Sequence, residues 1–188
     1  MQVPEFEQRL GVIHSELRHF LMRSPASEVI ARRPGAQSRV WQRRDRAGLH
    51  WAGQNFHSIK LAAGHTYSPM SKSFPGTIKL LEDLDLIGDR EVAFHRQQPQ
   101  TGLQRHSDKV NYVLAGHIGI YLPDGGETCG IQVDDQNCRW KEDEVLIIDN
   151  SFPHHTWNDS EEERVIFYFD FFHPELSEEE RRALTIFK

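Results

Sequence analysis

Apolar residues near the start of the chain recur at helical spacing. Phe6, Leu10, Ile13, Leu17, Phe20 and Leu21 share one face of a segment over residues 4–23, and Pro4 suits its first turn. A shorter helix is expected over residues 26–33, stopped by Pro34-Gly35, and another over residues 77–84, with Gly88 soon after. From about residue 38 onward the period changes. Short apolar or alternating runs surround Trp41, Ile59 and Phe94, then follow at 110–122, 129–133, 139–150, 154–158 and 164–172. Turn signals divide the later runs: Pro123-Asp124-Gly125-Gly126, Asp134-Asp135-Gln136-Asn137 and Asn158-Asp159-Ser160. Ser177-Glu178-Glu179-Glu180 has the form of a capping box opening a last helix through Leu184. Many short strands between regular turns predict a mainly β sandwich or barrel rather than a doubly wound sheet. The helices carry no recognisable chemistry and are expected to cover one side of a sheet.

A length of 188 residues suits a single domain, and 38% hydrophobic with 27% charged residues describes a soluble globular chain. No apolar run reaches the roughly 20 residues needed to cross a bilayer, and MQVPEFEQRL lacks the apolar segment of a secretory signal. The two cysteines, Cys129 and Cys138, need not pair, so a reducing, cytoplasmic setting is expected. A net charge of −6 argues against nucleic acid as a partner. The charge is uneven: Arg32, Arg33, Arg39, Arg43, Arg44 and Arg46 crowd the first part, whereas Glu161 to Glu163 and Glu178 to Glu180 make the tail acidic. The basic stretch is either a solvated loop or an attractor for an acidic substrate or carrier protein.

The chemistry concentrates on His106-Ser107-Asp108, His154 and Arg164. On a β-strand, a histidine and a carboxylate two residues apart point the same way. A second histidine from a later strand would complete two imidazoles and one carboxylate, the ligand set of non-haem Fe(II) oxygenases, which leaves an open metal face. Among eleven histidines a His-x-Asp pair arises readily by chance. His154 nevertheless lies far enough downstream to return to the same end of a barrel. Arg164 opens the apolar run RVIFYFDFF; an arginine entering a buried strand needs an anion, either a structural Asp or Glu or a bound carboxylate. Parity alone does not choose between His154 and His155. His117 within an apolar strand reads as core, Asp149 as either a turn cap or the orienter of a ligand histidine, and Trp140 and Trp157 as core or cavity wall. The cysteines read as small buried residues.

The stretch from Gly130 to Arg181, with Ser151-Phe152-x-His154-x-x-Trp157-Asn158, Arg164 and His173-Pro174-Glu175-Leu176 in order, resembles the core of the aspartyl/asparaginyl β-hydroxylase family. The resemblance runs from about 75 to 182, with residues 1–36 as a helical covering segment of the same 1–188 domain. It implies a double-stranded β-helix (a jelly-roll, cupin-like fold) and a dioxygenase dependent on Fe(II), 2-oxoglutarate and O2. It implies His106, Asp108 and His154 as metal ligands, Arg164 at the distal carboxylate of 2-oxoglutarate, and His117 near the cosubstrate's other end. His95 falls where the family has a serine assisting that arginine, and Ala115 where animal members have another arginine. Asp108 replaces a glycine of the animal members and gives the full triad seen in related free-proline hydroxylases.

The implied reaction is hydroxylation of an aspartyl or asparaginyl β-carbon, or of a free proline-like amino acid. The substrate would be free, peptidyl or carrier-bound. Lys60, Arg96 and Arg105 are candidates for gripping a substrate carboxylate. A reading of another class is a non-catalytic barrel that binds a carboxylate metabolite or a metal; a binding module, however, has no need of an open metal face. A zinc-dependent cupin-type enzyme fits Arg164 poorly.

Overall fold

A computed structural model describes residues 6–23, 42–43, 56–64, 66–88 and 90–186. Its organising element is the apolar run after Arg164. Strand β11 (Arg164–Phe172) pairs antiparallel with β4 (Val92–Gln97) on one side and β6 (Val113–Tyr121) on the other. Because it is central and covered on both faces, it reads as a continuous rather than alternating run. Strand alternation then sorts its residues. Val165, Phe167, Phe169 and Phe171 enter one core cluster, while Ile166 and Tyr168 enter another. Arg164 shares the parity of Ile166 and Tyr168, and it is directed between the sheets for that reason.

The strands form two antiparallel sheets. The larger has the order β1 (Gln42–Arg43), β2 (Phe56–Ala63), β4, β11, β6, β9 (Val145–Ile148), with β3 (Thr66–Tyr67) beside β2. The smaller has the order β5 (Thr101–His106), β10 (His154–Asn158), β7 (Cys129–Val133), β8 (Gln136–Cys138). This mainly β, cupin-like jelly roll encloses the second cluster, which includes Ala115, Ile131, Trp140, Ile148, Ile166 and Tyr168. The first cluster lies on the outer face of the larger sheet, beneath helices α1 (Gly11–Arg23) and α2 (Pro75–Asp83). Both Glu16 carboxylate oxygens, at 2.8 Å, cap the start of α2 by accepting from the Gly76 and Thr77 N–H groups and the Thr77 hydroxyl.

Several elements differ from expectation. The first helix is interrupted: Phe6 and Glu7 are helical, residues 8–10 form turns, with Arg9 N–H donating to Phe6 O at 2.9 Å, and regular helix resumes at Gly11. Glycine is a poor helix former, yet Phe6, Leu10, Ile13 and Leu17 are buried as their spacing demands. The helix expected over 26–33 lies outside the described residues. Of the run 139–150 only Val145–Ile148 is strand, because Lys141, Glu142 and Asp143 face solvent and Asp143 adopts φ 60°. The turn expected over Asp134 to Asn137 closes within Asp134-Asp135, with Asp134 at φ 51°, and β8 begins at Gln136. Helix α3 (Glu178–Ile186) opens on the expected capping box: Glu180 accepts from the Ser177 N–H and hydroxyl, both at 2.8 Å, and Glu180 N–H donates to Ser177 Oγ. No helix among the described residues is long and apolar enough to cross a membrane.

Candidate metal centre

The register of the smaller sheet brings the two histidines together. His106 closes β5, His154 opens β10, and they are direct cross-strand partners with ring centroids 4.3 Å apart. In β10, His154, Thr156 and Asn158 are buried while His155 and Trp157 are half-exposed, so alternation places His154 inside and His155 on the outer face. Asp108 lies beyond the end of β5, not on it. Its N–H donates to Asn150 O at 2.8 Å, and a turn rather than strand parity returns its carboxylate to His106. One ligand atom from each of His106, Asp108 and His154 lies within 4.8 Å of the others.

Both imidazoles are oriented by their own backbone. His106 Nδ1 is 2.8 Å from Gln104 O and His154 Nδ1 is 2.9 Å from Phe152 O, which commits Nδ1 to the proton and leaves each Nε2 as a lone-pair donor. Burial, assisted by His106 nearby, pushes His154 below the ordinary histidine range and favours the neutral form that a metal requires. Arg90 Nη1 donates to Asp108 Oδ2 at 2.5 Å, so one carboxylate oxygen is restrained by a cation while the other is left for a ligand. Arg90 is itself fixed from behind. Buried Asp170 accepts from Arg90 N–H at 3.1 Å and Glu91 N–H at 2.7 Å, and Gly88 N–H donates to Asp170 O at 2.7 Å. A Cβ at Gly88 would collide with Asp170, which is why glycine stands there. With its two histidines, its carboxylate and this outer support, the donor set fits a divalent transition metal.

The triad faces a cavity of about 120 Å³, also lined by Arg164, His117, His95, Trp140, Asn150 and Tyr168. Arg164 is 1% exposed. Its Nη2 donates to Gln97 Oε1 at 2.6 Å, and its Cζ lies 4.3 Å from the Trp140 ring centre. Its Nε and Nη1 have no hydrogen-bond partner among the described residues. Burial pushes the guanidinium down to about 9, and no Asp or Glu stands beside it among the described residues. His117 Nδ1 accepts from Trp140 Nε1 at 3.2 Å, so its proton is on Nε2, which is buried and without a partner among the described residues. Burial, with His95, Arg164 and His154 nearby, pushes His117 well below its ordinary value and keeps it neutral. Thus the cavity presents a charged donor at Arg164 and a neutral donor at His117, both suited to carboxylate oxygens.

Of the other residues singled out in the sequence, His95 stacks on Tyr168 at 4.9 Å and pairs with Glu91 at 3.6 Å on the cavity wall. Lys60 stands behind Glu91, with its Nζ 3.7 Å from Glu91 Oε1. Arg96 lies on the other face of β4, beside Glu163 at 3.5 Å, and Arg105 turns outward to Asp134 and Gln132. Neither lines the cavity. Asp149 caps a turn, accepting from Ser151 N–H at 2.9 Å, and Cys129 and Cys138 are unpaired. Sequence reasoning missed Arg90, Glu91, Gln97, Asn150 and Tyr168. Tyr168 was within reach, sharing the parity of Arg164 four residues on; Arg90 sits in a loop whose path the sequence does not signal.

Fold and site together define a cupin-like jelly roll with a His–carboxylate–His cluster facing a cavity that also holds a buried arginine. The chain belongs to the aspartyl/asparaginyl β-hydroxylase family, whose sequence profile matches residues 7–174. It is 35% identical over 116 residues to the human aspartyl/asparaginyl beta-hydroxylase, covering 60% of this chain and 15% of that protein. It is also 35% identical over 77 residues to the ornithine lipid ester-linked acyl 2-hydroxylase of Rhizobium tropici, covering 41% of this chain and 27% of that protein. This chain therefore spans only a small part of the curated relatives it matches. Among solved structures, a cupin domain of a transcriptional regulator from Enterobacter cloacae aligns with TM-score 0.43 and 10% identity, covering 64% of this chain and 99% of that one.

Proposed function

We propose that this chain is an Fe(II)- and 2-oxoglutarate-dependent hydroxylase acting on an amino-acid side chain. The observation that carries this reading is the pairing, in one cavity, of a two-histidine, one-carboxylate cluster with a buried arginine whose Nε and Nη1 lack partners among the described residues. Bound there, Fe(II) would supply the oxygen-activating chemistry, with one atom of O2 passing to a substrate C–H bond and the other to the succinate formed as 2-oxoglutarate loses CO2.

The chain's own residues bind, orient and exclude water. His106 and His154 offer Nε2 lone pairs, Asp108 offers a carboxylate oxygen, and Arg90 holds that carboxylate in one rotamer. Arg164 anchors the distal carboxylate of the cosubstrate, and His117 Nε2–H donates to its other end. His95 stands on the wall where the family's serine would be. Trp140, Ile131 and Ile166 keep the cavity apolar between these polar points, which limits water at the reacting centre. Hydrogen abstraction from carbon needs no protein acid or base, and no such dyad is required of the remaining residues.

The substrate is read as an aspartyl or asparaginyl residue, in peptide, carrier-bound or free form, or as a free proline-like amino acid. Family names alone span amino-acid and lipid-linked acyl targets, so the substrate is assigned by experiment. The deciding measurement is anaerobic titration of the Fe(II)-loaded protein with 2-oxoglutarate, followed in the visible. A weak charge-transfer band is expected, and it should shrink in Arg164→Ala; no band, or a band indifferent to that change, would sink the reading. Asp108→Ala should abolish succinate release when amino acids and carrier-bound amino acids are screened, whereas persisting turnover would show that the carboxylate is dispensable.

A further inference from the structure

Arg164 is held by an amide where a carboxylate would be the ordinary partner. It faces Gln97 directly across the β4–β11 ladder, and Gln97 Oε1 accepts from Arg164 Nη2 at 2.6 Å. The same oxygen accepts from Thr156 Oγ1 of the opposite sheet at 3.1 Å, and that hydroxyl accepts from Leu103 N–H at 3.3 Å. Two donors converging on one end of the amide fix that end as oxygen, because a guanidinium can only donate. Gln97 is 1% exposed and stands behind Arg164, outside the cavity lining. Its Nε2, like Nε and Nη1 of Arg164, has no hydrogen-bond partner among the described residues.

Glutamine and glutamate offer acceptors at the same reach, but only glutamate would cancel the arginine's charge. A buried carboxyl beside a guanidinium ionises, and the resulting pair is satisfied within the protein. Glutamine gives the guanidinium its orientation and leaves its charge for a ligand. We propose that Gln97 is a positioning residue that keeps Arg164 oriented but unneutralised, and so makes the pocket select ligands carrying a second carboxylate. The proposal rests on the reading of Arg164 as the anchor of 2-oxoglutarate.

Two substitutions separate charge from hydrogen bonding. Q97E keeps both accepted hydrogen bonds and adds a charge, whereas Q97M keeps the volume, loses the bonds and adds no charge. Were Gln97 only a prop, glutamate would be the better replacement; for the role proposed here, methionine is. The Fe(II)-loaded protein is titrated calorimetrically under nitrogen with 2-oxoglutarate and with 2-oxopentanoate, which has a methyl group in place of the distal carboxylate, and metal-free melting temperatures are recorded. The unsubstituted protein is expected to prefer 2-oxoglutarate by about 100-fold, Q97E by no more than about fivefold, and Q97M by at least about tenfold. Q97E should also melt no lower than the unsubstituted protein, since it supplies a missing counter-charge. Retention of the full preference in Q97E, or a loss in Q97M as large as in Q97E, overturns the proposal, and the Q97M result stands even if Q97E does not fold. Absence of any preference in the unsubstituted protein instead overturns the reading of Arg164. The melting temperature of Q97E then still reports, for or against, whether Gln97 leaves that arginine uncompensated.

Discussion

Replacing Arg164 by methionine should stabilise the ligand-free protein while abolishing its response to 2-oxoglutarate. The guanidinium is 1% exposed, and burial lowers it to about 9. At about 1.4 kcal/mol for each tenfold change in proton affinity, that drop from its ordinary value corresponds to a burial cost of about 5 kcal/mol. The contact with Trp140 offsets about 1 kcal/mol of this, and the charged hydrogen bond to Gln97 about 1.5 kcal/mol. Methionine, similar in length and uncharged, should therefore gain about 2 to 3 kcal/mol. The sign follows from linkage. Folded Arg164 holds its proton less tightly than unfolded Arg164, so the charge opposes folding throughout the range below about pH 9; the opposition fades as pH rises from there towards the ordinary arginine value. Urea unfolding at neutral pH is the assay, first of the ligand-free proteins and then of the metal-loaded proteins without and with cosubstrate. Ligand at 100 times its Kd adds about 2.7 kcal/mol to a protein that binds it. That increment should appear for the unsubstituted chain and vanish for R164M. A ligand-free R164M destabilised by more than about 1 kcal/mol would refute the reasoning, because the arginine would then be a satisfied structural element.

Three further outcomes are expected. Arg90→Met frees Asp108 Oδ2 of its restraint, and competition titration with Co(II) should show metal affinity lower by about 10- to 100-fold; unchanged affinity would remove Arg90 from the support of the centre. Asp170→Asn turns the acceptor facing Glu91 N–H into a donor and should cost about 1 to 3 kcal/mol in denaturant unfolding, with Co(II) affinity falling alongside because the Arg90-Glu91 backbone is no longer held at both of its N–H groups. Glu16→Gln weakens the cap over Gly76 and Thr77 and should cost about 1 kcal/mol, seen as a lower melting temperature with metal affinity unaltered.

The parts of the fold legible in the sequence were those with strong period and length. RVIFYFDFF could only be a fully covered strand, and the residues at helical spacing from Phe6 to Leu17 are buried even where the helix is interrupted. Short polar strands were not legible. TGLQRH carries one apolar residue and no fully buried position, so β5 is defined by its pairing with β10 rather than by its own pattern. Lys141 to Glu144 lie next to a genuine strand yet stay in a loop, since nothing on them needs burying. The site divided in the same way. The triad and Arg164 stood out as residue types in sequence order, whereas Arg90, Gln97 and Asn150 belong to the site through contacts 18 to 67 positions away along the chain. Contacts of that separation leave no local signature.

The two ends of the cavity are built by different means, and this bears on how each tolerates change. His106, Asp108 and His154 sit at the margin of the smaller sheet, two at strand ends and one in a turn, where backbone carbonyls, Asn150 and Arg90 fix their directions. Arg164 sits within a ladder of the larger sheet, and its direction follows from strand parity and from Gln97 opposite. A substitution near the metal end can move a turn and still leave the sheets paired. One at the arginine end must act through charge or volume, because moving Arg164 to another face would need a one-residue slip of β11, exposing Phe167 and Phe169 to the wrong side. On the proposed reading of Arg164, ligand selectivity is therefore open to change at Gln97, Thr156 and Trp140, which touch the guanidinium or its amide partner, while the position of Arg164 is fixed by the same hydrophobic alternation that folds the barrel.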